Sequence, residues 1–172
     1  TLAFSGADAS ARAIPFANTL IKFPSYQSSF EISQNHILLK SELTGNYPKD
    51  RAKLLTALKA GNFYSSLDIL GDPTGFSAVV DDEKTVYMMG ERAKVTKATR
   101  LKAKLPQEPR YYYELVVFKN GERFATSNET SLDIPIQDSG VYRVTVRVSP
   151  LLPFPEGKRW FTWIYTNNFY LY

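Results

Sequence analysis

The chain is 172 residues long, 44% hydrophobic and 14% aromatic, which is enough apolar material for a sizeable core in one domain or two small ones. Its net charge of +4 is too small an excess to argue for a nucleic-acid partner, which is not expected. With no cysteine and a single histidine, it excludes a disulfide, a thiolate metal site, a cysteine nucleophile and an all-histidine metal site.

No apolar run approaches the roughly 18 residues that span a bilayer. The chain opens at Thr1, in an apolar strand-like run and without the basic start of a signal peptide, as a processed or excised piece of something longer would. Residues 1–7 read as a short strand that stops before Asp8, and Ala9 to Ala13 as the start of a helical turn that Pro15 ends. Tyr26, Phe30 and Ile37 follow helical spacing behind a capping box of Ser28 and Glu31, which predicts a helix over 26–39. Pro48, the stripe Leu54, Leu55 and Leu58, and Gly61 predict a second helix over 48–60.

From Asn62 the hydrophobic period changes from 3.6 to 2, which divides the chain into units of 1–61 and 62–172. Strands are expected at 62–70, 75–80, 85–89, 98–105, 111–118, 122–127, 131–136, 141–149 and 160–172, the last broken near Asn167-Asn168. The strongest signals lie between Tyr111 and Val148. Asn120-Gly121 suits the left-handed backbone of a two-residue hairpin turn, and Tyr142, Val144, Val146 and Val148 alternate with polar residues. The run Asp138-Ser139-Gly140-Val141-Tyr142 resembles the tyrosine corner of immunoglobulin-like domains, with Val144 where a disulfide cysteine normally stands. The fold class expected is α+β, mainly β: an N-terminal barrel remnant with two helices, then an immunoglobulin-like antiparallel β-sandwich.

Candidate sites are few. Asp8 follows an apolar strand, where strand ends offer ligands to an active site, although a lone Asp there is ordinarily a turn or cap. His36 falls within the first predicted helix and reads as structural or exposed. There is no Gly-x-Ser-x-Gly elbow and no Gly-rich phosphate loop. Lys94, Lys97, Arg100, Lys102, Lys104 and Arg110 abut Tyr111, Tyr112 and Tyr113, a mixture that binds single strands or sugars. The plainer reading of the same residues is a solvated sheet face that discourages edge pairing. Trp160, Phe161, Trp163 and Tyr165 are expected to fill core and interdomain contacts.

The segments GADASARAIP, FPSYQSSFEISQNHILL, LLTALKAGNFYSSLD, the hairpin with GVYRV and the terminal WIYTNNFYLY together resemble the C-terminal part of bacterial PHP (polymerase and histidinol phosphatase) proteins. The resemblance implies a distorted (β/α)-barrel whose strand ends hold divalent metals (Zn, Mn or Fe) that activate water against phosphate esters. It further implies a last barrel strand ending in Asp-x-His, both metal ligands. Asp8 matches the Asp, but Ser10 stands in place of the His and is a poor substitute for an imidazole. The other family ligands have no counterpart here. The resemblance therefore implies a non-catalytic C-terminal portion without its own cofactor. Its partner would be the N-terminal part of its own chain, and the parent's substrate a phosphate ester, in the bacterial periplasm or exterior or in the cytoplasm.

The alternative is a stand-alone sandwich that binds a glycan, a protein or an anionic polymer through Arg100, Lys102, Lys104, Tyr111, Tyr112 and Tyr113. An exposed groove through the tyrosines and the basic strand would favour it. A third reading, a small complete hydrolase, needs Asp8, His36 and another carboxylate to converge.

Overall fold

The computed structural model describes residues 2–6, 9, 13–16, 19–22, 25–150 and 159–172. In chain order the elements are β1 (Ala13–Phe16), β2 (Thr19–Lys22), α1 (Tyr26–Ile32), β3 (Gln34–Ile37), α2 (Tyr47–Ala60), β4 (Phe63–Ser66), a 3-10 turn (Asp68–Leu70), β5 (Ser77–Asp81), β6 (Val86–Met88) and β7 (Arg92–Ala93). They continue with β8 (Arg100–Lys104), β9 (Tyr112–Lys119), β10 (Glu122–Ser127), β11 (Ser131–Pro135), β12 (Gly140–Ser149), β13 (Phe161–Thr166) and β14 (Phe169–Leu171). The described residues are mostly β, with two helices.

One sheet runs β10-β9-β12-β13-β4-β3, and β14 pairs both β12 and β7. A second runs β11-β8-β5-β6, and β1 with β2 forms a separate ribbon. Among the described residues all pairings are antiparallel except β14 with β7. The axis of the larger sheet is β12, which pairs with β9 from Tyr142 to Ser149 and on its other side with β14 and then β13. Its alternation has the expected result: Tyr142, Val144, Val146 and Val148 are buried. They share one hydrophobic cluster with Val80, Leu101 and Leu132 of the smaller sheet, so the two sheets close over a common core.

Asn120 and Gly121 both adopt positive φ, 52° and 95°, and join β9 to β10 with Lys119 opposite Glu122. The ladder then slips between Arg123 and Ala125. Phe124, at this slip, is exposed and meets Tyr142 edge-on at 5.6 Å. The Tyr142 hydroxyl donates to the Asp138 carbonyl at 2.8 Å, the bond that defines a tyrosine corner.

The N-terminal third departs from its local signals. Ser25, not Ser28, caps α1, with its Oγ accepting from the Ser28 N–H at 3.1 Å. The helix ends at Ile32, and Gln34 to Ile37 pair as a strand with Phe63 to Ser66. Backbone pairing to a sheet here overrides helical spacing, and Tyr26 and Phe30, which carry that spacing, are exposed. This pairing also joins residues on either side of the expected boundary near Gly61. Ala13, expected in a helical turn, lies in β1; Pro15 is tolerated there because both strands of a two-stranded ribbon are edges.

The second helix matches its signals more closely. Asn46 accepts from the Lys49 N–H, Pro48 lies in the first turn, and Gly61 ends the helix at φ 82°. Of its expected leucine stripe, Leu54 and Leu58 are half-buried on the same face as the buried Ala57, whereas Leu55 is exposed.

Candidate functional site

Tyr111, Tyr112 and Tyr113 stand where the crossover from β8 in one sheet enters β9 in the other. Tyr112 opens β9 opposite Ser149 at the end of β12. Tyr112 is 62% exposed and Tyr111 36%, while Tyr113 is half-buried against the core. With Glu108, Arg110 and Asn128 they line an open groove of about 460 Å³. The Asn128 amide, in the β10–β11 turn, is anchored there by donating to the Tyr113 carbonyl at 3.2 Å. A second depression of about 340 Å³ lies against the same crossover, shares Glu108, Arg110 and Tyr111, and extends to Asp72 and Trp163.

The basic strand does not contribute to this groove. Arg100 donates to Asp133 at 2.7 Å and Lys102 to Asp81 at 2.7 Å, across the register of β11–β8 and β5–β8. These are cross-strand pairs on a wet sheet face, as the plainer reading of β8 expects. Lys102 and a backbone N–H hold the Asp81 carboxyl below its ordinary range, and Asp81 in turn raises Lys102. Lys104 is exposed beyond them. The structure brings the three tyrosines together and leaves Arg100, Lys102 and Lys104 outside the groove. Sequence reasoning missed Glu108, Asn128 and Ser149, which no spacing ties to the tyrosines, since it is the crossover and the β10–β11 turn that bring them close.

His36 has a more specific environment than expected. It lies on β3, and its Nε2 meets both oxygens of Asp68 at 3.1 Å while its ring stacks on Tyr64 at 4.9 Å. Ser66 donates from Oγ to Asp68 Oδ1. The order is histidine, carboxylate, serine, with the carboxylate in the middle, so the imidazole does not reach the hydroxyl as a general base must. The cluster ties the edge strand to the 3-10 turn. Burial, followed by the negative charges of Asp68 and Asp72, pushes the Tyr64 hydroxyl up to about 12.

Asp8 and Ser10, the expected metal-site positions, lie outside the described residues. Among the described residues no group of three His, Cys, Asp or Glu side chains is arranged to hold a metal ion. Nor is any helix among them long and apolar enough to cross a membrane.

Just ahead of Asp8, residues 2–6 have an unusual attachment. Expected as a strand, they pair with no strand among the described residues; side-chain amides hold them instead. Asn35 accepts from the Ser5 N–H at 3.0 Å and donates to the Ser5 carbonyl at 2.8 Å, and Asn167 accepts from the Ala3 N–H at 2.9 Å. Phe4 stacks on Phe63 at 4.5 Å but stays 58% exposed. No family model, no curated protein and no solved structure matches the chain.

Proposed function

We propose that the chain is the non-catalytic C-terminal portion of a PHP-type metal-dependent phosphoesterase, and that its two-sheet body is an immunoglobulin-like sandwich serving structure or substrate access. The observation that carries this reading is the double hydrogen bond of the Asn35 amide to the Ser5 backbone. It imitates a strand pair and fixes the segment that leads to Asp8 on the edge of the large sheet. A last barrel strand attached in this way would be held in position by the sandwich. The Tyr142 corner supports the immunoglobulin-like part. The exposed faces of Phe4, Tyr26 and Phe30 suit packing against the N-terminal part of the same parent, the partner this reading requires.

Asp8-Ala9-Ser10 in place of Asp-x-His leaves the chain one carboxylate towards a cluster that needs several ligands. Incubated with Mn²⁺ or Zn²⁺ and then p-nitrophenyl phosphate, the purified chain is expected to show no turnover, and gel filtration is expected to strip the metal from it. Stoichiometric retained metal or metal-dependent hydrolysis would contradict the non-catalytic assignment.

A further inference from the structure

The tyrosine groove holds polar groups of both signs that the fold does not use. Glu108 and Arg110 form no ion pair or hydrogen bond among the described residues, whereas Arg100 and Lys102 are committed to Asp133 and Asp81. Between them stand the exposed rings of Tyr111 and Tyr112, and the Asn128 amide is held in place from behind. Because the second depression shares Glu108, Arg110 and Tyr111, the surface continues over the crossover and suits a ligand longer than one ring.

We propose that this end of the two-sheet body binds a neutral oligosaccharide, with Tyr111 and Tyr112 packing on the C–H faces of successive sugars and Glu108, Arg110 and Asn128 taking their hydroxyls. A pyranose has flat apolar faces and an edge of hydroxyls that both donate and accept. Tyrosine offers the matching flat apolar body at low entropic cost. The carboxylate accepts only, the guanidinium donates only, and the amide does both, so the three cover either sense of a hydroxyl's bonds. Each depression lies within the ~300–1,000 Å³ in which small ligands are held.

The field of the groove argues against a polyanion. Nucleic-acid affinity rests on several uncompensated cations, and here Glu108 offsets Arg110. The Tyr113 hydroxyl is raised by burial first and then by the negative charges of Glu108 and Glu129, which places a second carboxylate near the groove. The inference goes beyond the phosphoesterase reading and stands whether or not that reading does.

Isothermal titration calorimetry of the intact chain with cello-, malto- and chito-oligosaccharides tests it, with oligo-dT as the anionic comparison. At least one neutral series is expected to bind. Tyr112→Ala, in protein shown to be folded by circular dichroism, is expected to weaken it by about tenfold and Tyr112→Phe by much less, since the ring and not the hydroxyl carries the contact. Glu108→Gln should weaken binding without making oligo-dT a better ligand than the sugar. If no neutral series binds, if Tyr112→Ala and Tyr111→Ala both leave the affinity unchanged, or if oligo-dT binds more tightly than every sugar, the proposal is overturned.

Discussion

Tyr64 joins several parts of the structure. Its hydroxyl donates to the Pro73 carbonyl at 3.1 Å, its ring lies against His36 on one side and Phe76 on the other, and Asp68 and Asp72 place negative charge nearby. The unfolded chain loses this proton near 10.0 and the folded chain near 12. The neutral hydroxyl therefore stabilises the fold at every pH below 10, and that contribution is lost as pH rises from 10 towards 12. Urea denaturation across this window should show stability falling with pH. Tyr64→Phe should cost about 1–2 kcal/mol at neutral pH, because it leaves the Pro73 carbonyl without its donor. It should also make the alkaline slope shallower, though not flat, since Tyr113 and Tyr142 are raised as well. Parallel curves for the two proteins would show that Tyr64 does not carry this dependence. None of these roles could be read from composition, because a tyrosine's partners here come from Pro73 and from a strand that local spacing presents as helix.

At the scale of elements, the docking of α2 depends on two glycines. Gly61 ends the helix, and Gly90, at φ 89°, lies so close beneath its last turn that an added Cβ would sit 1.9 Å from the Ala60 carbonyl oxygen. Gly90 also donates its N–H to Asn168 at 2.7 Å, linking the turn after β6 to the break between β13 and β14. Gly90→Ala is therefore expected to cost about 4 kcal/mol or more in urea denaturation, the range of a severe backbone clash. Gly45→Ala, at φ 76° with open space around it, should cost only the left-handed penalty of roughly 1–2 kcal/mol. Equal losses at the two positions would show that the close approach has no energetic weight.

The elements also show where local signals suffice. From Ser77 onward the expected strands lie within two residues of those observed, because alternation, turn residues and burial all agree there. The short β7 carried no pattern of its own and exists because β14 pairs with it. Between Tyr26 and Ile37 the helical spacing was real, but it was overridden by the sheet edge that β4 offers, a non-local partner that no window of sequence contains.

In the whole molecule, two sheets with one shared core hold the ends of different strands in fixed relation. The tyrosine groove at the β8–β9 crossover and the amide-held segment at residues 2–6 are both products of that arrangement. The tyrosines and the basic strand were legible as candidates, because residue type alone marks them. Their separation was not, since the ion pairs that occupy Arg100 and Lys102 depend on the register of β8 with β5 and β11. Asp8 was legible as a candidate from its place after an apolar strand and as a metal ligand only through a family resemblance, and the geometry that bears on it is the attachment of Ser5 by Asn35. The measurement that bears most directly on the proposed origin is the sequence encoded immediately upstream of Thr1 in its gene. The account predicts an in-frame (β/α)-patterned region that begins with a strand carrying His-x-His. An upstream region with no such motif, or with none of that patterning, would contradict it.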